Sequence, residues 1–357
     1  KKLSEILQDL KEGKYDAKKT NQYTEDVEHY SSILKFPSFL LHILRLIKKD
    51  DSIKIKDQDL IAIFDKHLSK EQEEVENFFR KLLHYRILFD RYVIKRLKDD
   101  DSPWRIRELK LNNDGSYSRQ SKEENRPLEM LEAFLQVSTQ QNHWLNFLLN
   151  KIGKEEVDNE KLIKHLECFD YFWAKIRLAR LESGKQVDLE KLFKTETIPN
   201  WGLLDNGTNT PRYWFFKLDY LLWKLLWKDT WKDKWKDREK NTRLKNFQFR
   251  ENRSVEHVHA RNQDNEINNK WDEELVDSFG NLALISVSSN SQNSNKSFEL
   301  KKLLFEPRLI KYGCESLKLA FIFENNEWTK KECKEHKAKM IEILQEDLKS
   351  FERDLSS

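Results

Sequence analysis

A carboxylate, a histidine and two asparagines lie close enough in the sequence to supply a proton acceptor and oxygen ligands for a cation at one site. Glu256 and His257 are adjacent in a short β-branched run, Asn281 follows 24 positions after His257, and Asn290 follows nine positions later. A histidine with an ordinary pKa near ~6.5 can accept a proton from water at neutral pH. Carboxylate and amide oxygens are the ligands that a hard divalent cation prefers. The four residues therefore predict a general base beside a cation site.

Two short apolar runs and a helical pattern would position these groups. We predict that residues 254–259 and Leu282–Ser286 form an antiparallel strand pair, with a helix over residues 295–304 packed beneath it. Neighbouring side chains on a strand point to opposite faces. Glu256 and His257 can therefore share one site only if the strand ends or bends where they lie.

These segments resemble the HNH (ββα-metal) unit of GmrSD-type restriction endonucleases, a layout also found in CRISPR effector nucleases. Residues 256–260, Glu-His-Val-His-Ala, are similar to the family's acid-His-aliphatic-x-Pro signature. Residues 280–284 resemble its Gly-Asn-Leu-Thr-Leu, and residues 290–302 resemble its Asn-rich turn before Ser-Phe-x-x-Lys-Lys. Residues 36–42 and 89–95 resemble the helical region that joins the family's two domains.

The resemblance implies a role for each candidate residue. His257 would be the general base and Glu256 a ligand of Mg²⁺ or Mn²⁺. Asn281 would hold the base and its loop, and Asn290 would be the second ligand, with Asn293 and Asn295 as alternatives. The nucleic-acid contacts would be His259, Arg261, Lys301 and Lys302.

The resemblance also implies a biological setting. The chain would be a DNA endonuclease of a modification-dependent restriction system acting against phage, with modified phage DNA as a target. The family's ParB-like domain would lie N-terminal to these residues in the same protein. The sequence does not indicate the oligomeric state.

Composition predicts a mainly α-helical protein. Among 357 residues, 36% are charged and 12% aromatic, whereas there are only 8 glycines and 6 prolines, which turns between many strands would need. We predict a helical linker or positioning domain over residues 1–182. A helix-rich HNH nuclease domain containing the small strand–strand–helix unit would follow over residues 183–357.

Charge, cysteine content and hydropathy limit the partners and the compartment. A net charge of +3, from 65 basic and 62 acidic residues, is too balanced to indicate nucleic-acid binding by itself. Three scattered cysteines are typical of a reduced, cytoplasmic protein. The run of roughly 18 apolar residues that a membrane-spanning helix needs is absent, so we expect no membrane association.

Apolar periodicity predicts further helices, beginning with one after Pro37. Ser69 and Gln72 have the spacing of a capping box. Residues 99–127 are polar and predict a loop or an exposed hairpin. The other helical segments are residues 57–67, 69–98, 128–152, 161–181 and 211–247.

Four tryptophans recur every fourth residue in the last of these helices. Burial against a neighbouring helix is the simpler interpretation of such a ridge; a stacking platform for nucleic acid is the alternative, because lysines lie between the rings. We expect Trp223 and Trp227 to be buried among leucines. Trp231 and Trp235, flanked by Lys and Asp, should be more exposed.

Three other interpretations remain open. His257 and His259 with Cys333 and His336 could bind zinc, because three nitrogen ligands and one sulfur can complete a tetrahedral site. The chain could also be a non-catalytic nucleic-acid sensor with a degenerate HNH unit. It could instead be a helical protein-interaction scaffold, with the tryptophan ridge as the partner surface.

Overall fold

The computed structural model describes residues 30–97, 102–115, 117–139, 142–183, 199–227, 247–251, 253–261, 271–293 and 295–356. Within these ranges the protein is mainly α-helical, which confirms the predicted fold class. The helices before residue 200 are α1 (Phe36–Lys48), α2 (Leu60–His67), α3 (Gln72–Tyr92), α4 (Arg126–Ser138), α5 (His143–Ile152) and α6 (Asn159–Ser183). Those after it are α7 (Arg212–Trp227), α8 (Glu273–Val276), α9 (Val287–Asn293), α10 (Phe298–Tyr312), α11 (Leu317–Ile322) and α12 (Lys330–Ser356). No helix in the described ranges combines the length and the apolar character that crossing a bilayer requires.

The strands of the described residues form three separate antiparallel pairs. These are β1 (Tyr30–Ser32) with β2 (Lys95–Leu97), β3 (Glu108–Leu111) with β4 (Tyr117–Gln120), and β5 (Arg253–His257) with β6 (Leu282–Ser286). The β3–β4 hairpin lies within the polar segment 99–127, which confirms the predicted exposed hairpin. The β5–β6 pair confirms the strand pair predicted around the candidate residues, with β5 ending at His257 rather than at residue 259.

The predicted start of α3 is wrong. The helix begins at Gln72, and its N-cap residue, Glu71, makes no side-chain cap. The Ser69 hydroxyl instead accepts a hydrogen bond from the Glu71 backbone N–H at 3.3 Å, and the Ser69 N–H donates to the Glu74 carboxylate at 2.8 Å. Ser69 thus closes a turn before the helix, so the capping-box spacing describes a different local structure.

The tryptophan ridge of α7 agrees with the prediction at one ring and not at the next. Trp223 is buried, but Trp227 is 42% exposed, so its predicted burial is wrong. The two rings stack with centroids 5.2 Å apart. Trp227 therefore lies on the expected face, but only one side of its ring is covered, one helical turn beyond Trp223. Trp231 and Trp235 lie outside the described residues.

One hydrophobic core joins buried side chains from both sides of residue 182. The Phe134 ring of α4 stacks on Tyr220 of α7 with centroids 5.3 Å apart. Lys217 of α7 forms buried ion pairs with Asp170 of α6 at 2.6 Å and with Asp347 of α12 at 2.7 Å. These contacts fix α7 between α4, α6 and α12, while the predicted domain boundary stays a prediction.

Candidate active site

The acid and the histidine are the last two residues of β5. In the β5–β6 register, Glu256 lies opposite Ala283 and His257 lies opposite Leu282. Glu256 and His257 are both half-buried, whereas Val255 is buried, and the strand ends at His257. This strand end is the condition under which the two side chains can share a site.

An open cavity of about 450 Å³ collects the predicted base and both predicted ligands. Glu256, His257 and Asn290 all line it, together with Arg261 and Lys301. Its other lining residues are Thr208, Val255, Ala260, Ser291 and Asn295. Glu256 and His257 therefore line the same cavity. A Glu256 side chain turned away from His257 would instead have supported the interpretation as a degenerate, non-catalytic unit.

An aspartate that the sequence reasoning missed binds the imidazole of His257. The Nε2 atom of His257 lies 2.8 Å from Asp277 Oδ1, and Arg261 forms an ion pair with Asp277 Oδ2. Burial raises the pKa of the Asp277 carboxyl, but the hydrogen bonds from His257 and Arg261 outweigh it and hold that pKa below its ordinary value. An ionised carboxylate at Nε2 requires that this nitrogen carry the proton, which leaves Nδ1 as the proton acceptor.

The position of Asp277 depends on a glycine from a distant part of the sequence. The Gly207 N–H donates to the Asp277 carbonyl oxygen at 3.1 Å. Gly207 has a φ of +53°, and a Cβ atom there would lie 2.5 Å from Asp277 Oδ1. Only glycine fits this position without displacing the carboxylate. The sequence offered little signal for Asp277, because several other acidic residues precede Gly280 at similar spacing.

Asn281 holds the loop that follows β5. It is fully buried, and its Nδ2 donates to the carbonyl oxygens of His259 at 3.0 Å and Val276 at 2.9 Å. Its Oδ1 accepts from the His259 N–H at 2.8 Å and from Trp328 Nε1 at 3.1 Å. All four of its hydrogen bonds are therefore made within the protein. Asn281 does not line the cavity, so the geometry suits it for positioning the loop.

Contacts with α11 and α12 hold the residues at the start of β6. A Cβ atom on Gly280 would lie 2.4 Å from the Cys333 carbonyl oxygen, so glycine allows α12 to approach the loop closely. Lys318 of α11 donates to the carbonyl oxygens of Gly280 and Leu282. Burial lowers the pKa of Lys318 to about 7. This lysine ties α11 to the start of β6, although the sequence gave no indication of it.

Residues 290–293 of the segment predicted as an asparagine-rich turn are helical, which corrects that part of the prediction, whereas residues 295–297 are not helical. Asn290 lies in α9, and its half-buried side chain reaches the cavity. Ser286 starts the segment by accepting a hydrogen bond from the Ser289 N–H at 3.2 Å. Of the alternative ligands, Asn295 lines the cavity and Asn293 does not. The next helix, α10, starts at Phe298 rather than at residue 295, because Ser297 caps it.

The four predicted nucleic-acid contacts differ in accessibility. The Arg261 side chain is 57% exposed at the cavity, whereas Lys302 lies outside it and donates to the Asn325 carbonyl at 2.9 Å. His259 is buried and stacks on Trp271 with ring centroids 4.2 Å apart, and burial lowers its pKa to about 4. Its burial argues against the predicted contact with nucleic acid.

Lys301 is buried as well, so its predicted phosphate contact would lie inside the cavity that it lines and not on the solvated surface. The residue is 2% exposed. Its Nζ lies 2.7 Å from Glu256 Oε1 and donates to the His257 carbonyl oxygen at 2.6 Å. Lys301 and Glu256 form an ion pair, but the angles at the two atoms are not those of a hydrogen bond. Glu256 Oε1 is therefore a buried oxygen that accepts no hydrogen bond from the described residues.

The donor set fits a hard cation and not zinc. The described residues contain no group of three His, Cys, Asp or Glu side chains that could enclose a metal, so the zinc interpretation is wrong. Cys333 is packed under Gly280, and the half-buried His336 lies beside Trp328. A carboxylate and an amide at an open cavity suit Mg²⁺, which keeps most of its waters and takes few protein ligands.

Residues 201–343 match the family model described as GmrSD restriction endonucleases, C-terminal domain. This confirms the predicted GmrSD-type C-terminal region for that segment. The matched segment contains all the site residues described above. Searches among curated proteins and among solved structures found no match.

Proposed function

We propose that this chain is a metal-dependent DNA endonuclease that hydrolyses phosphodiester bonds by an HNH mechanism. One arrangement carries the proposal: Glu256, His257 and Asn290 line the same open cavity, and Asp277 binds the far nitrogen of the imidazole. The similarity of residues 201–343 to a restriction endonuclease domain supports DNA as the substrate.

In the proposed reaction, His257 acts as the general base through Nδ1. This nitrogen has no hydrogen-bond partner among the described residues, whereas Nε2 is occupied by Asp277. Nδ1 takes a proton from water as the water oxygen forms a bond to phosphorus, and the bond from phosphorus to the 3′-oxygen breaks. The leaving 3′-oxygen takes a proton from solvent water, and the products carry 5′-phosphate and 3′-hydroxyl ends.

Glu256 and Asn290 are the residues that would hold Mg²⁺ or Mn²⁺. When bound, the cation would supply charge neutralisation at the scissile phosphate and at the leaving oxygen. The residues of the chain itself provide the remaining steps. Arg261 lies at the cavity with an exposed side chain and can receive a neighbouring phosphate.

Asp277 would act as a positioning residue for the base. Its carboxylate fixes the tautomer of His257 and stabilises the imidazolium that forms when the water loses its proton, the role that a third group has in other activated bases. Arg261 pairs with the other carboxylate oxygen, and the Gly207 N–H holds the backbone carbonyl oxygen of Asp277. The base is therefore oriented before DNA binds.

The biological setting belongs to the same proposal. The chain would act in the cytoplasm as the nuclease part of a restriction system against phage, with modified phage DNA as a target. A ParB-like domain would accompany it in the same protein. The similarity to a restriction endonuclease domain is what supports this setting.

A plasmid assay tests the proposed function. Supercoiled DNA is incubated with the protein in Mg²⁺, in Mn²⁺ or in chelator, and relaxed and linear forms are resolved on a gel. We expect cleavage with either cation, none in chelator, and ligatable 5′-phosphate ends. Cleavage that persists undiminished in chelator would contradict metal dependence, and intact plasmid under every condition would contradict nuclease activity.

A further inference from the structure

A buried ammonium group lies directly beside the proposed metal-ligating carboxylate. Lys301 is in the first turn of α10, its side chain is 1% exposed, and its Nζ lies 2.7 Å from Glu256 Oε1. The same Nζ donates to the His257 carbonyl oxygen, so its position is fixed by the end of β5. A buried charge with two fixed partners is part of the built site and not a mobile surface group.

The charges around the cavity show how Lys301 affects the binding of a cation. Glu256 is the only carboxylate among the described lining residues, whereas Arg261 and Lys301 are both cationic. Asp277 neutralises Arg261 from outside the lining. Glu256 is left to balance Lys301, so the pair carries no net charge for a divalent cation to bind.

We propose that Lys301 keeps the affinity of this site for divalent cations low until a phosphodiester enters the cavity, so that the cation and the DNA backbone bind as a unit. The ammonium already uses the negative charge of Glu256 and repels a second cation beside it. A phosphate supplies the missing negative charge, and the lysine then lies near an anion as well. This inference rests on the proposed metal-dependent function.

Thermodynamic linkage gives the proposal a measurable form. If a phosphate tightens the binding of the cation by some factor, the cation must tighten the binding of the phosphate by the same factor. Removing the ammonium should make the cation bind without this assistance. The free protein should then show higher cation affinity and weaker coupling.

The test measures binding of Mn²⁺ by calorimetry, without turnover, in the full chain. Lys301→Met removes the charge and keeps most of the volume, and Lys301→Gln also keeps an N–H donor for the His257 carbonyl. Lys302→Met is the matched control, because it removes a lysine from the next position of the same helix that does not contact Glu256. Glu256→Gln removes the proposed ligand.

We expect Mn²⁺ to bind Lys301→Met or Lys301→Gln at least about tenfold more tightly than the wild type, a change equivalent to ~1.4 kcal/mol. Lys302→Met should match the wild type, and Glu256→Gln should lose the binding. In the wild type alone, thymidine 5′-phosphate should tighten Mn²⁺ binding about tenfold. This arm needs no lysine variant, so an unchanged affinity would overturn the proposed coupling even if both Lys301 variants fail to fold.

Two different failures can be distinguished. If Mn²⁺ binds through Glu256 but equally tightly with and without Lys301, or if thymidine 5′-phosphate leaves the wild-type affinity unchanged, the inference about Lys301 is wrong and the proposed function stands. If no protein binds Mn²⁺ even with thymidine 5′-phosphate present, the metal-dependent function itself is wrong.

Discussion

Replacing Asp277 with asparagine should slow DNA cleavage by impairing the base without weakening DNA binding. The carboxylate lies 2.8 Å from His257 Nε2 and is ionised at neutral pH, because its pKa is held below the ordinary value. An amide at this position can donate an N–H to Nε2. His257 would then carry its proton on Nδ1, where it could no longer accept one from water.

The magnitude follows from what the base contributes. A positioned general base typically accelerates a reaction by ~10²–10⁴-fold, and a fixed wrong tautomer forfeits most of this factor. We therefore expect kcat of Asp277→Asn to fall by about 10²-fold or more, with KM nearly unchanged because Asp277 does not line the cavity. The same reasoning predicts that Gly207→Ala is impaired too, since its Cβ would displace the carboxylate.

The assay is single-turnover cleavage of a labelled duplex at saturating Mg²⁺, with melting temperatures to verify the fold. Asp272→Asn is the matched control, because Asp272 is five positions away, 82% exposed and paired only with Lys330 at 3.6 Å among the described residues. A folded Asp277→Asn protein that cleaves at the rate of Asp272→Asn would refute the positioning role. A rise in KM with unchanged kcat would refute it as well.

Three further predictions follow from the site. Asn290→Ala should weaken Mn²⁺ binding in calorimetry with thymidine 5′-phosphate present, and excess Mn²⁺ should restore part of the cleavage, since water can replace a lost oxygen ligand; affinity equal to the wild type would remove Asn290 from the ligand set. Asn281→Ala should lower the free energy of unfolding by roughly 3 kcal/mol or more, because it leaves buried partners of four hydrogen bonds unpaired, and a denaturant titration showing no loss would contradict this. Burial lowers the pKa of His259 to about 4 in the folded protein. As the pH falls below ~6.5, His259 is therefore protonated in the unfolded chain before it is protonated in the folded protein. The free energy of unfolding of the wild type should fall by up to roughly 3 kcal/mol between pH 6.5 and 4 through this residue. His259→Phe should show a shallower loss over the same pH range, whereas parallel curves would show that His259 does not stay neutral in the folded protein.

The sequence predicted the parts of the site that are encoded by local patterns. Two short apolar runs were enough to predict the β5–β6 pair, because strand pairing buries one such run against another. The spacing of Glu256, His257 and Asn290 predicted that they would meet, and they line one cavity. Periodicity and the low glycine and proline content predicted the mainly helical fold.

The features that the sequence did not reveal depend on contacts between distant segments. Asp277 has no distinguishing neighbours, and Gly207, which fixes it, lies 70 positions earlier. Lys301 was expected at the surface because lysines usually lie there. It is buried instead, because its ammonium pairs with the Glu256 carboxylate and donates to the His257 carbonyl oxygen. Trp227 lies one helical turn after the buried Trp223 on the same face of α7. The periodicity of the sequence does not show how far along that face the neighbouring helices extend.

Comparing His257→Ala with His259→Ala distinguishes the proposed base from a structural histidine two positions away. Single-turnover cleavage of supercoiled plasmid in Mg²⁺ is measured for both variants and the wild type, with Mn²⁺ affinity in the presence of thymidine 5′-phosphate measured alongside. We expect His257→Ala to lose about 10²–10⁴-fold in rate while still binding Mn²⁺. We expect His259→Ala to lose stability but to retain cleavage at low temperature. Wild-type cleavage by His257→Ala together with an inactive, folded His259→Ala would contradict the assignment of the base.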